Sequence, residues 1–152
     1  MNRIVFVSSI ALAFAAGTAA THLLPQARAA DTMMTAQVLH VPDLSGDALG
    51  PANPIGFRSK TFVMAEGMTV SVQAGNVPKH MHPNTNEMQY ILEGTGTIWL
   101  GDKEVKVKPG DLVVIPKGTA HGGTKPDAGS APIKAIALKT PPQAPDDTKM
   151  LP

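Results

Sequence analysis

The sequence predicts an all-β domain, and three observations point there. Apolar and polar residues alternate with a period of two from Phe57 onward, no stretch longer than about two turns carries a helical stripe, and glycine and proline number 14 each. Thr69 to Gln73 alternates cleanly, and so does Lys103 to Lys108, with Val105 and Val107 on one face. Thr97 to Leu100 runs into Gly101-Asp102 and then Lys103, and a glycine plus a polar residue between two strands suits a tight hairpin. Asp111 to Ile115 is a short apolar run closed by Pro116, and Ile133 to Leu138 is the last strand candidate. Many short strands at this spacing mean a sandwich or a barrel.

The ends of the 152-residue chain read differently. Met1-Asn2-Arg3 is a short basic start, Ile4 to Ala16 is an apolar run of 13 residues, and Ala27-Arg28-Ala29 fits a small-x-small cleavage site. A helix that spans a bilayer needs ~20 residues, so residues 1–29 are expected to be a signal peptide rather than a retained anchor. The expected compartment is periplasmic or secreted, with no membrane association after cleavage. Residues 30–56 are rich in Pro, Gly and Asp with one apolar piece, Val38 to Val41, and are expected to form an arm with at most one strand. Residues 57–139 hold the strand pattern, and residues 140–152 carry four prolines and no pattern, so a loose tail is expected there.

The formal charge of +1 belongs partly to the leader. Without Arg3 and Arg28 the count is 11 basic against 12 acidic side chains, and no basic cluster supports a nucleic-acid partner. There is no cysteine, which removes thiolate chemistry, thiolate ligands and disulfides together. Four aromatic residues beyond the leader make a thin core, so a homodimer built on Val38 to Val41 and an outer sheet face is expected.

Four histidines lie beyond the leader, and three of them share one arrangement. His80 and His82 are separated by one residue, so on a strand both point to the same face. Glu87 follows after a turn-length gap, and His121 lies beyond the hairpin. Three imidazoles and a carboxylate suit one divalent transition metal ion, with Fe, Mn, Zn, Ni, Co or Cu all compatible. Gln89, two residues after Glu87, should share its inward face as a pocket residue able to hold a substrate or a bound water, but not to act as an acid or base. Tyr90 falls on the opposite face. Lys79 and Lys117 flank the ligand candidates, and Met64, Met68, Met81 and Met88 read as core filler.

These residues carry a family resemblance. His80-Met-His82 with Glu87 and Gly94 resembles the first cupin motif, and Gly110 with Pro116, Gly118 and His121 resembles the second. The fifteen residues between them, Thr95 to Pro109, match the short spacer of small single-domain bacterial cupins. Gly75 sits one residue closer to His80 than the usual pattern, and Lys125 stands where an Asn is frequent. The resemblance implies a cupin (double-stranded β-helix, jelly-roll-like) barrel of six or more antiparallel strands, paired as a homodimer, with the metal inside one mouth. Cupins include oxygenases, decarboxylases, lyases, isomerases, epimerases and sugar-binding domains, so the resemblance does not choose an activity. The favoured expectation is a small metal-dependent enzyme, of oxygenase or lyase type, acting on a small oxygen-rich metabolite. The alternative is a non-catalytic periplasmic protein that binds a sugar acid or the metal itself. A closed, mostly apolar pocket with a few placed polar groups would favour the enzyme.

Overall fold

The computed structural model describes residues 34–152; the expected leader, residues 1–29, lies outside them. Ten strands follow one another: β1 (Arg58–Ala65), β2 (Met68–Ala74), β3 (His80–Met81), β4 (Asn86–Glu93), β5 (Gly96–Leu100), β6 (Lys103–Val107), β7 (Leu112–Ile115), β8 (His121–Pro126), β9 (Lys134–Thr140) and β10 (Lys149–Met150). They form two five-stranded sheets, ordered β1-β2-β9-β4-β7 and β10-β3-β8-β5-β6, in which every pairing is antiparallel.

The closed cupin barrel expected from the motifs is therefore corrected. The chain is all-β, but its two sheets face each other without a ladder joining them. The backbone explains where the pairing stops. β3 is two residues long because Pro78 and Pro83 bracket it, and a proline has no N–H to extend a ladder. Pro109-Gly110 separates β6 from β7, and Pro116 ends β7. The motif residues set strand ends and turns, whereas closure would have required hydrogen bonds between strand edges that they do not specify.

Between the sheets lies one apolar cluster of Ile91, Ile98, Val107, Val113, Ile115, Ile133 and Ala135. Odd-numbered positions of β4, β7 and β9 face inward, so Glu87, Gln89 and Ile91 share a face with Val113, Ile115, Ala135, Ala137 and Lys139 through the registers Glu87↔Ile115, Glu87↔Lys139 and Gln89↔Ala137. β5 and β6 are joined by the two-residue Gly101-Asp102 turn, with Gly101 at φ 70°.

The two ends depart from the expected picture. Val38 to Val41 forms no strand: Val41–Asp43 and Gly46–Leu49 are single 3₁₀ turns, and Val38 is exposed. Leu49 is fully buried, and Lys134 ties the arm to the sheet by donating to the Pro42 carbonyl and to Glu93. The tail is also not loose. Lys149–Met150 pairs with β3, and the Leu151 N–H donates to the Lys79 carbonyl at 2.9 Å. Among the described residues no helix is long and apolar enough to cross a membrane.

Gly96 marks a close approach between neighbouring strands. A Cβ there would stand 2.5 Å from the Lys125 carbonyl oxygen and 3.0 Å from the Pro126 Cα, both backbone atoms that cannot step aside. Gly96→Ala should cost about 1–3 kcal/mol in a denaturant or thermal melt, while the exposed Asp102→Ala should stay within about 0.5 kcal/mol of the parent. Equal midpoints for the two variants would contradict the β5–β8 approach.

Candidate metal centre

Both sheets contribute to one recess. β3 and its last turn supply His80 and His82, and β8 begins at His121, which lies directly opposite His80 in the ladder. The other sheet supplies Glu87 and Gln89 from β4 and Lys139 from β9. The loop before β8 is pinned by the Gly118 N–H, which donates to the His82 carbonyl at 2.7 Å. Gly122 lets β8 pass the imidazole of His80. A Cβ at that position would meet the Pro78 carbonyl oxygen at 2.5 Å and His80 Nδ1 at 3.1 Å, and its φ of 85° suits glycine.

Backbone carbonyls assign the protons on the three rings. His80 Nδ1 lies 2.8 Å from the Pro78 oxygen, His82 Nδ1 2.6 Å from the Asp147 oxygen, and His121 Nδ1 2.9 Å from the Thr119 oxygen. A carbonyl only accepts, so each Nδ1 carries the hydrogen and each neutral ring keeps a bare lone pair on Nε2. His82 Nε2 and His121 Nε2 both stand 3.3 Å from Glu87 Oε2. Ring centroids are 4.2 to 5.1 Å apart, and the three histidines offer ligand atoms within 4.8 Å of one another. Glu87 Oε2 and His121 Nε2 are buried and have no hydrogen-bond partner. Lone pairs pointed at lone pairs in a buried site need a cation or extra protons between them. The triad His80, His82 and His121 can hold a metal ion.

The electrostatics follow the same arrangement. Burial acts to raise the Glu87 carboxyl, but the closely approaching His121 and His82 imidazoles, the charge of Lys139 and a hydrogen bond from Gln89 outweigh it and hold the group below the usual carboxylate range. Burial first, then the nearby His121 and His82 imidazoles, which disfavour a further proton, push His80 down to about 4, against the opposing effects of the Pro78 carbonyl and Glu87. Gln89 Nε2 donates to Glu87 Oε1 at 2.8 Å, which leaves Oε2 as the oxygen turned toward the rings.

His80, His82, Glu87, His121 and Gln89 all line one cavity of about 290 Å³. Tyr90 points outward and is 45% exposed. Lys79 lies with its ammonium 4.1 Å from the Trp99 ring, Lys117 is exposed, and none of Met64, Met68, Met81 and Met88 lines the cavity. His40 is exposed on the arm.

Sequence reasoning missed two contributors. Lys139 reaches the centre, with Nζ 3.2 Å from His82 Nε2 and 3.6 Å from Glu87 Oε2. Its inward parity with Ala135 and Ala137 was the signal available for it. The second is the segment Gln143 to Met150, a strap across the mouth. Asp147 supplies the carbonyl for His82, while its carboxylate accepts from the Asn84 backbone and side chain at 2.9 and 3.0 Å. Gln143 bridges Lys139 to Thr148. Nothing in the local pattern marks a backbone carbonyl 65 residues from the ring that it orients.

The lowered His80 pKa has a definite sign in stability. The unfolded chain takes up a proton on this ring near 6.5, whereas the folded one resists until about 4. The stability this provides is complete above 6.5 and is lost as the pH falls through 4. The carboxyl of Glu87 adds a loss only below its ordinary 4.5. The melting temperature of chelator-treated protein should therefore fall between pH 6.5 and 4.5, and His80→Gln should flatten that fall. A parent and variant with parallel profiles would refute the buried neutral ring.

Comparison with known proteins agrees with this architecture. A family model described as the Cupin domain matches residues 67–136. An uncharacterised protein of Methanocaldococcus jannaschii is 36% identical over 72 residues, which cover 47% of this chain and 56% of the relative. The uncharacterised YdbB protein of Bacillus subtilis is 35% identical over 78 residues, covering 48% and 69%. The chain thus spans little more than half of the first relative and about two thirds of the second. Among solved structures, a Streptomyces Pac13 variant with uridine aligns at TM-score 0.55 and 15% identity over 66% of this chain and 82% of that one; Pac13 is described as a nucleoside dehydratase. A double-stranded β-helix protein of Klebsiella pneumoniae aligns at TM-score 0.61 and 15% identity, over 78% and 99%. At these identities the structural likeness concerns the fold alone. The motif residues, the sequence relatives and the paired sheets agree, and the chain belongs to the cupin family.

Proposed function

We propose that this cupin is a metal-dependent enzyme, of oxygenase or lyase type, acting on a small oxygen-rich metabolite. One divalent transition metal ion would be held by His80, His82, His121 and Glu87. The observation that carries the reading is the set of converging acceptors, with every Nδ1 engaged by a carbonyl and Glu87 Oε2 and His121 Nε2 left without a hydrogen. Such an ion supplies Lewis-acid polarisation of a coordinated oxygen, or a more acidic bound water. The chain's own groups do the rest. Gln89 fixes the Glu87 carboxylate, Asp147 fixes the His82 ring, and Ile91, Ile98, Ile115 and Ile133 give the recess an apolar wall beside these polar groups. The apolar run Ile4 to Ala16 and the Ala27-Arg28-Ala29 site support a working place outside the cytoplasm.

Removing ligands tests the centre. A metal that prefers the native state stabilises it by ~2.7 kcal/mol at one hundred times its dissociation constant. Altering the outer partners of ligands typically costs 10–100-fold in affinity, and losing a ligand should cost at least about that. Glu87→Gln and His121→Ala should lose stoichiometric metal in elemental analysis, and a chelator should lower the parent's melting temperature more than theirs. Gln89→Ala should retain metal and change turnover instead. Parent-like metal content in both ligand variants would defeat the four-residue assignment.

The homodimer belongs to the same proposal. Outward-facing positions of the first sheet are apolar in register, with Met88 beside Val114 and Leu138, and Tyr90 beside Leu112 and Ile136. Leu112, Val114 and Tyr90 are 62%, 56% and 45% exposed, a patch that suits self-association. Sedimentation should give a dimer at micromolar concentration for the parent, and Leu112→Glu with Val114→Glu should shift it to monomer. A monomeric parent would refute the pairing.

A further inference from the structure

Lys139 is a cation that the proposed metal chemistry does not use. Its side chain is only 13% exposed, and its ammonium stands beside both Glu87 Oε2 and His82 Nε2, with Gln143 of the strap as its remaining partner. A buried ammonium costs free energy unless compensated. Here one carboxylate, Glu87, serves it, and among the described residues the cavity walls contain no other Asp or Glu. The remaining polar groups of the lining are amides and hydroxyls: Ser59, Gln73, Gln89, Thr124, Gln143 and Thr148.

The charge count is informative. With three neutral rings, Glu87 and Lys139 cancel. A divalent ion on the triad would raise the recess to a net +2, in surroundings of low dielectric where an uncompensated charge is expensive. We infer that the cavity takes a small organic anion, a hydroxy- or oxo-carboxylate, whose carboxylate is bound by Lys139 and whose further oxygens are met by the amides and hydroxyls of the lining. This deepens the enzyme reading above and rests on it. A volume of about 290 Å³ lies at the small end for ligand sites, which admits a short-chain acid and crowds a larger ligand. Lys79 and Lys117, which flank the ligand candidates in sequence, do not line the cavity; Lys139 does. The anion chemistry also departs from that of uridine, the uncharged nucleoside held by the Streptomyces structure.

The test uses protein loaded with Zn²⁺, a redox-silent ion, and reads binding rather than turnover. Glycolate, D-glycerate and L-malate are titrated calorimetrically against glycerol and uridine. At least one acid should bind about tenfold or more tightly than either neutral probe. Lys139→Met should keep one equivalent of zinc and a parent-like melt, yet lose about tenfold or more in acid affinity, and Lys139→Arg should recover part of it. If Lys139→Met misfolds, Lys139→Gln serves, since it keeps a polar group beside Glu87. Stoichiometric zinc with no preference for acids, or with acid binding unchanged in the Lys139 variants, would overturn this inference and leave the metal reading standing. Failure of the parent to hold zinc or any other divalent transition metal would overturn both.

Discussion

Three backbone carbonyls govern the centre. Pro78, Asp147 and Thr119 each present an oxygen to the Nδ1 of a histidine, and a carbonyl oxygen has no hydrogen to give. This constraint fixes the tautomer of every ring and turns the unprotonated Nε2 atoms of His82 and His121 toward Glu87. The unpartnered buried atoms, Glu87 Oε2 and His121 Nε2, are consequences of that orientation. Hydrogen-bonded partners behind metal-binding histidines commonly fix ring orientation and raise basicity. Here that role falls mainly to the main chain, with the Thr148 hydroxyl a further neighbour of His82 Nδ1 at 3.4 Å.

The open pair of sheets is compatible with this arrangement. The histidines come from one sheet, and Glu87, Gln89 and Lys139 come from the other, so the centre bridges layers that share no ladder. The aliphatic cluster behind the site sets the spacing of the layers, and the loop from Gly118 to His121 is tied back to the His82 carbonyl. Polar geometry at the mouth therefore rests on apolar packing at the base.

Much of this was legible in the sequence, for physical reasons. Period-two alternation marked β2 and β6, and the Gly101-Asp102 turn marked the β5–β6 hairpin. The spacing of His80, His82, Glu87 and Gln89 placed them on inward faces because side chains alternate along a strand. Edge pairing was not legible, since the motifs specify turns and ligands but not which strand edges meet. The tail was misjudged because four prolines suggest disorder, whereas Lys149–Met150 has only to add two residues to the edge of β3. Asp147 was invisible for a deeper reason: its contribution to His82 is a backbone oxygen, and any residue type carries one.

The strap has a thermodynamic corollary. Asp147 is joined to His82 and Asn84, and Gln143 and Thr148 join Lys139 to the same segment, so the strap and the ligand set share hydrogen bonds and their order is coupled. Linkage is reciprocal. Any ligand that prefers the ordered set must hold the strap down by the same free energy that the strap lends to its binding. The segment from Gln143 to Met150 thereby becomes a reporter of occupancy: its amide protons would exchange with solvent more slowly when the centre is filled, although Asp147 orients a ligand candidate from behind its ring, through Nδ1.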